Sequence, residues 1–291
     1  MVRNPVQHSG FQMIKLITTG ILILLTLLVQ QTALAGPEED REAFVAFFKS
    51  RFPDIPFAEY ANGIYAIDED ARAQWQEIEI FPPYEFTLDE GQALWDAPFA
   101  DGKTYSDCFK GSESGVRQLF PRFDPQEGEI LSLEMAINDC RVAHGEDELK
   151  YGGEQQLALS AFMAFRSRGK IFEIIVDSDE PRALEAYEEG KRFYYTKRGQ
   201  LNLSCYDCHI TSVGQNVRAD RLSASLGHPT HFPVYRSKTG GMVSLHQRFS
   251  GCVRDVRAKP FDLQSREFRN LEYFLSYMSN GLQVNGPGAR K

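Results

Sequence analysis

The sequence predicts a mainly α-helical protein built from two domains. Its 291 residues suffice for two domains of ordinary size, and apolar side chains recur at helical spacing in most of its regular segments. Hydrophobic residues make up 42% and charged residues 25% of the chain. This composition is typical of a globular protein and excludes a disordered or collagen-like one. We see no internal repeat, and we place the domain boundary near residue 170.

Residues 1–35 have the features of a signal peptide. Arg3 and Lys15 precede an apolar segment at 16–29, and Ala33-Leu34-Ala35 offers the small side chains that signal peptidase reads. An uncleaved membrane anchor is the alternative, but segment 16–29 is short against the roughly 20 apolar residues of a spanning helix. We expect cleavage before Gly36 and a periplasmic protein, in a compartment where cysteines can form disulfides.

The charge of the chain argues against a nucleic-acid partner. The formal net charge is -8, and residues 1–35 contain Arg3 and Lys15 but no acidic residue, so 30 basic and 40 acidic side chains, or -10, remain after cleavage. Nucleic-acid binding proteins usually present an excess of basic groups. We therefore expect no nucleic acid and no membrane among the partners.

The first half of the chain predicts four main helices. Residues 38–52 place three phenylalanines at helical spacing and end before two prolines. Residues 53–86 are mostly irregular, with Trp75 in a short helix. The segments at 88–96, 131–143 and 154–168 are amphipathic.

The second half begins with a predicted strand and holds two long helices. Residues 170–176 form an apolar run suited to a strand. A helix should follow at 181–196, because acidic residues and a proline stand at its start. The last helix is predicted at 266–279, with Gly281 as its terminator.

The segment 205–209 predicts a covalent haem site. Its C-x-x-C-H pattern lets the thiols of Cys205 and Cys208 add to the vinyl groups of haem, while His209 becomes an axial ligand of the iron. A thioredoxin-like redox pair is a poorer match. In thioredoxin-like proteins a strand precedes the C-x-x-C pair, whereas in this chain a predicted helix precedes it and His209 follows it directly. A zinc site would need a second pair of ligands at suitable spacing.

The second axial ligand stays open on sequence alone. Met242 is the conventional choice for an electron-transfer cytochrome. Cys252 is a strong thiolate ligand and lies in a basic stretch, which would favour its thiolate and could bind a small anion. A solvated basic loop beside an unreactive cysteine is the alternative. The complete set of candidates is His228, His231, Met242, His246, Cys252 and Met278.

Three stretches of the chain resemble the SoxA family, the SoxA subunit of the SoxAX cytochrome complex of bacterial thiosulfate oxidation. They are Asn202-Leu203-Ser204-Cys205-Tyr206-Asp207-Cys208-His209, the segment from Gly240 through Arg248 to Cys252-Val253-Arg254, and Asn270-Leu271-Glu272-Tyr273-Phe274-Leu275. The resemblance covers most of the chain after residue 35. It implies a mainly α fold of two cytochrome c-like domains, at 36–169 and 170–291, the second carrying one covalently attached haem c.

The resemblance also implies roles for single residues. Cys205 and Cys208 would attach the haem, and His209 would be its proximal ligand. Cys252 would be both the distal ligand and the catalytic cysteine, found as a persulfide. Arg248 would bind the substrate.

The first half departs from the family members that carry two haems. Cys108 is followed by Phe109 and has no partner at C-x-x-C spacing. The chain therefore resembles the monoheme branch, in which a disulfide between Cys108 and Cys140 holds the haem-free domain. Such a disulfide typically contributes about 3–4 kcal/mol in the chain-entropy picture.

The activity that the resemblance implies is L-cysteine S-thiosulfotransferase. Thiosulfate would be coupled to a cysteine of a SoxYZ-like sulfur-carrier protein, with electrons passed to a soluble cytochrome c, and a SoxX-like cytochrome c subunit would complete a heterodimer. Two other functions are also compatible with the sequence. One is a periplasmic electron carrier with His209 and Met242 as ligands, and the other is a structural cytochrome subunit whose partner performs the chemistry.

Overall fold

The computed structural model describes residues 36–111, 115–218 and 220–290, so the predicted signal peptide lies outside the described residues. Within these ranges no helix has the length and apolar character needed to cross a membrane. The α-helices are α1 Pro37–Arg51, α2 Glu69–Ile78, α3 Glu85–Asp96, α4 Tyr105–Cys108, α5 Leu133–Ala143, α6 Glu154–Arg166, α7 Pro181–Tyr195, α8 Leu245–Asp255 and α9 Arg266–Met278. The 3₁₀ segments lie at Phe57–Ala66, which Gly63 interrupts, and at Arg117–Leu119 and His228–His231.

The strands within the described ranges are short and form three small sheets. They are β1 Arg122–Asp124, β2 Glu129–Leu131, β3 Asn216–Val217, β4 Asp220–Arg221, β5 Val234–Arg236, β6 Gly241–Val243 and β7 Gly288–Arg290. Antiparallel hairpins join β1 to β2, β3 to β4 and β5 to β6, and β7 adds to β5 in parallel. The described chain is therefore mainly α, as the sequence predicts.

Most of the predicted helices are confirmed within a few residues at each end. Residues 53–86 are more regular than predicted, because the 3₁₀ segment Phe57–Ala66 and the start of α3 fall within them. The helix predicted at 131–143 begins at Leu133, since the Ser132 hydroxyl accepts a hydrogen bond from the Met135 amide and caps it. Leu131 instead pairs with Arg122 in the first hairpin.

The strand predicted at 170–176 is wrong. The segment forms an isolated antiparallel bridge between Ile171 and Gln283 but is not part of a strand. Phe172 N donates to Leu282 O at 2.9 Å, and Ile174 N donates to the side-chain Oδ1 of Asn280 at 2.8 Å. Phe172 and Ile174 are buried whereas Ile171 and Ile175 are exposed, and this alternation explains the strand-like pattern in the sequence.

The structure contains an internal repeat, which corrects the reading of the sequence. The stretch 120–140 aligns without gaps with 232–252, and six positions are identical, namely Phe120/Phe232, Pro121/Pro233, Gly128/Gly240, Ser132/Ser244, Leu133/Leu245 and Cys140/Cys252. In both copies a cis Phe-Pro bond leads into a hairpin and a serine-capped helix. The same offset of 112 residues relates α6 to α9. The copies are too divergent for the repeat to stand out in the sequence.

Both copies also share one helix crossing. A Cβ built on Gly91 of α3 would lie 2.2 Å from Ala158 O of α6, and a Cβ on Gly190 of α7 would lie 2.0 Å from Asn270 O of α9. Ala158 and Asn270 are equivalent in the repeat. Glycine is therefore required at both crossings, because it lets one helix approach the backbone of the other.

Two hydrophobic clusters make up the core of the part of the chain that the structure describes. The first lies within the first half and includes Trp95, Tyr105, Ile137 and Phe162. The second contains side chains of α7, α8 and α9 together with Phe44 of α1. The domain boundary near residue 170 follows α6 and stays a prediction.

Candidate haem and sulfur site

A polar cap fixes the turn that carries the C-x-x-C-H motif. Ser204 N and Ser204 Oγ both donate to Asp207 Oδ2 at 2.8 Å, and Asp207 N donates back to Ser204 Oγ at 3.2 Å. The chain then forms a π-helical turn over Asp207–Thr211. Such wide turns are rare and often occur at functional sites.

His209 is oriented as a metal ligand would be. Its Nδ1 donates to the carbonyl of Ser223 at 2.8 Å, which leaves the lone pair on Nε2. Among the described residues Nε2 has no hydrogen-bond partner. Burial lowers the pKa of His209 to about 4, the Ser223 bond acts in the opposite direction, and the charge of Arg248 lowers it further. The ring is therefore neutral at pH 7, as iron ligation requires.

The three cysteines outside the disulfide come together near this turn. Cys205, Cys208 and Cys252 are free and partly buried in the described structure. Burial raises the pKa of Cys205 to about 12, and the charge of Cys252 raises it further. The pKa of Cys208 is also raised, by burial first and then by Cys252. Cys252 therefore lies within electrostatic range of both thiols of the motif.

Helix α8 brings Arg248 and Cys252 to the site. The Ser244 hydroxyl accepts from Gln247 N, and the Gln247 side chain accepts from Ser244 N at 2.8 Å, so a capping box starts the helix. Arg248 and Cys252 are four residues apart and therefore share one face of α8.

Two further residues belong to the site. Arg236 was missing from the residues predicted for it, whereas His228 was a candidate for the second axial ligand. Arg236 of β5 is partly buried, and burial followed by the charge of Arg248 lowers its pKa. His228 meets the His209 ring edge to face with centroids 4.4 Å apart, and its Nε2 is hydrogen bonded to Ser223 Oγ at 2.9 Å. No local motif marks Arg236, since only the hairpin pairing of β5 with β6 places it near Arg248.

Other candidates for the second axial position have different surroundings. His246 Nε2 lies 3.0 Å from Glu272 Oε2, and its Nδ1 accepts from Gln264 N at 3.1 Å, so both nitrogens face protein partners. Met278 is buried in the core on α9, and His231 is buried against Phe232. Met242 lies in β6, opposite Tyr235.

The donors present fit a covalently bound haem. Two thiols stand at C-x-x-C spacing, a neutral imidazole follows with Nε2 unpartnered among the described residues, and a third thiol lies nearby on another helix. This donor set matches the thioether links and axial ligands of a c-type haem.

In the first half, Cys108 and Cys140 form a disulfide with an S–S distance of 2.03 Å. A ring nitrogen of His144 lies within 4.8 Å of both sulfurs. The His144 Nδ1 is 2.7 Å from Asp101 Oδ2. Because both thiols are consumed by the disulfide, this group does not offer a metal site.

Comparison with known proteins identifies the family. The family model of the SoxA/TsdA cytochrome c domain matches residues 90–172 and 189–284. An L-cysteine S-thiosulfotransferase subunit SoxA of Allochromatium vinosum is 50% identical over 276 residues, covering 95% of this chain and 98% of the relative. The same subunit of Chlorobaculum tepidum is 46% identical, covering 94% and 96%.

A solved structure agrees with these relatives. The crystal structure of SoxXA from P. pantotrophus matches with a TM-score of 0.68 and 32% identity, covering 77% of this chain and 84% of the matched one. Both the sequence and the fold thus lead to one assignment, and the chain belongs to the SoxA family of cytochrome c proteins.

Proposed function

We propose that this chain acts as an L-cysteine S-thiosulfotransferase subunit, which couples thiosulfate to a cysteine of a SoxYZ-like sulfur-carrier protein and passes two electrons to a soluble cytochrome c. One observation carries the proposal. Cys252 lies within electrostatic range of Cys205 and Cys208, and Arg248 lies within electrostatic range of His209. A reactive thiol, an anion-binding group and a haem-binding motif thus belong to one site.

The chain would hold one haem c, because its sequence contains a single C-x-x-C-H motif. Cys205 and Cys208 would bind it covalently, and His209 Nε2 and Cys252 Sγ would be the axial ligands. When bound, the haem supplies a one-electron redox centre beside the reactive thiol.

Cys252 would carry the transferred group. Its thiolate, or the outer sulfur of its persulfide, forms an S–S bond with the sulfane sulfur of thiosulfate while two molecules of oxidised cytochrome c each accept one electron. The thiolate of the carrier protein then attacks that sulfane sulfur, and its bond to the Cys252 thiolate or persulfide sulfur breaks. The carrier leaves with the thiosulfate group, and Cys252 is regenerated. The coupling of two sulfur nucleophiles is thus divided into two steps through a covalent intermediate on Cys252, as in other covalent catalysis.

Arg248 and Arg236 would bind the sulfonate end of thiosulfate. Guanidinium groups offer paired donors to an oxyanion and stay charged at pH 7. Their mutual repulsion, which contributes to the lowered pKa of Arg236, would be relieved by a bound anion.

The proposal includes a partner and a location. A SoxX-like cytochrome c subunit would form a heterodimer with this chain, by analogy with the SoxXA complex of P. pantotrophus. Export by the signal peptide at residues 1–35 would place the complex in the periplasm. The relatives are named for the coupling activity, which does not favour an electron carrier with His209 and Met242 as ligands.

The test is a reconstituted reaction. The purified chain with a SoxX-like subunit is mixed with thiosulfate, reduced carrier protein and oxidised cytochrome c. We expect two cytochromes reduced for each carrier that gains the mass of one thiosulfate group. Cytochrome reduction without a mass change on the carrier would contradict the proposal. The intact mass of the chain before and after reductant would test for one haem and a removable sulfur.

A further inference from the structure

The internal repeat places Cys140 and Cys252 at equivalent positions. Each is the eighth residue of a serine-capped helix, α5 in the first half and α8 in the second. The hairpins before these helices have the same register, since Arg122 pairs with Leu131 as Val234 pairs with Val243.

A second equivalence, with an offset of 100 residues, relates Cys108 to Cys208. In the first half Thr104 N donates to Asp107 Oδ2 at 2.9 Å, and Cys108 follows directly. In the second half Ser204 N donates to Asp207 Oδ2 at 2.8 Å, and Cys208 follows directly. Each cysteine therefore directly follows a turn that is capped in the same way.

The first half joins these two positions by a disulfide, with the Cα atoms of Cys108 and Cys140 5.9 Å apart. In the second half the equivalent thiols, Cys208 and Cys252, are free and partly buried among the described residues. They also interact electrostatically. The capped turn and the serine-capped helix that carry Cys108 and Cys140 therefore have equivalents that carry Cys208 and Cys252.

We propose that Cys208 and Cys252 form a disulfide equivalent to Cys108–Cys140 when the chain carries no haem. The two thiols lose two protons and two electrons, and the disulfide of a thiol oxidase is reduced to two thiols in exchange. The bond removes one haem-attaching thiol and Cys252 together, so reduction must precede attachment. This inference concerns the haem-free chain and does not depend on the coupling reaction.

The experiment uses two matched variants of the full haem-free chain. Cys205→Ser leaves Cys208 and Cys252 as its free thiols, whereas Cys208→Ser leaves Cys205 and Cys252. Each variant is incubated with oxidised glutathione, alkylated and mapped by mass spectrometry of its peptides. We expect Cys205→Ser to gain an intramolecular Cys208–Cys252 link at least about ten-fold faster than Cys208→Ser links Cys205 to Cys252.

Equal rates in the two variants, two persistent thiols in Cys205→Ser, or links only between separate chains would each overturn the proposal. An intact Cys108–Cys140 peptide and an unchanged circular dichroism spectrum verify that the variants fold. If either variant fails this check, the same mapping on the haem-free wild-type chain decides. A Cys208–Cys252 peptide there supports the proposal, and a Cys205–Cys208 peptide alone refutes it.

Discussion

Arg117 Nη2 donates to Glu272 Oε1 at 3.2 Å, in an ion pair whose side chains are only 5% and 3% exposed. The second carboxylate oxygen of Glu272 lies 3.0 Å from His246 Nε2, at the start of α8. The pair therefore connects the first half of the chain to the helix that carries Arg248 and Cys252.

Removing one partner of this buried pair should be costly. We expect Glu272→Gln to lower the free energy of unfolding by about 3–5 kcal/mol, because the charge of Arg117 is left buried without its counter-ion. Urea unfolding of the haem-loaded chain measures the loss. The control is Glu185→Gln, whose pair with Arg266 spans 3.9 Å at the surface and should contribute less than about 1 kcal/mol. A similar small effect for both variants would contradict the assignment.

The same pair predicts a loss of stability in acid. Burial raises the pKa of Glu272, but the His246 hydrogen bond and the charges of His246 and Arg117 more than offset this, so the pKa lies below its usual 4.5. The folded pKa is thus lower than the unfolded one, and the contribution is present above pH 4.5 and lost as the pH falls through the folded pKa. The stability gap between wild type and Glu272→Gln should shrink below pH 4.5, and a gap that widened there would refute this.

Replacing the reactive thiol should abolish coupling without preventing haem attachment. We expect Cys252→Ala to lose at least about a thousand-fold in thiosulfate coupling, because no nucleophile remains to carry the sulfane sulfur. Its intact mass should still include one haem, held by Cys205 and Cys208. Cytochrome reduction and the carrier mass give the activity, and normal activity would eliminate the role of Cys252.

Arg248→Lys should mainly weaken thiosulfate binding. A lysine keeps the charge but loses the paired donors, and one charge-assisted hydrogen bond of about 1.5 kcal/mol corresponds to about a ten-fold rise in the KM for thiosulfate. Arg254→Lys is the matched control, since Arg254 is exposed on the same helix. Steady-state kinetics with varied thiosulfate tests both, and equal KM values would place the anion site elsewhere.

Gly190→Ala should destabilise the crossing of α7 and α9. Alanine normally favours a helix by up to about 1 kcal/mol over glycine. Here its Cβ would lie 2.0 Å from Asn270 O, and the forced separation should cost about 1–3 kcal/mol. Thermal unfolding measures the effect. Gly241→Ala, whose Cβ would meet no atom within 4 Å, should leave the melting temperature unchanged. A stabilised Gly190→Ala variant would show that α7 and α9 can move apart without a loss of stability.

The local features of the site could be predicted from the sequence, but the contacts between distant residues could not. The C-x-x-C-H motif and most of the helices could be predicted, because their patterns lie in neighbouring residues. Helix α8, which carries Arg248 and Cys252, was not predicted. Arg236 could not be predicted either, because a hairpin register rather than a motif brings it to Arg248. The buried contacts of Glu272 with Arg117 and His246 were also hidden, since they join residues 155 and 26 positions apart. The false strand at 170–176 arose because apolar periodicity records burial and not the hydrogen-bond partner.

The internal repeat suits an origin by gene duplication. A duplication of one ancestral cytochrome gene would explain why equivalent cysteines stand at 140 and 252 on equivalent helices. Under the proposed function, the cysteine of the first copy would serve folding and that of the second copy sulfur chemistry. A substitution at Cys140 should therefore reduce the amount of protein in the cell, whereas one at Cys252 should reduce its turnover.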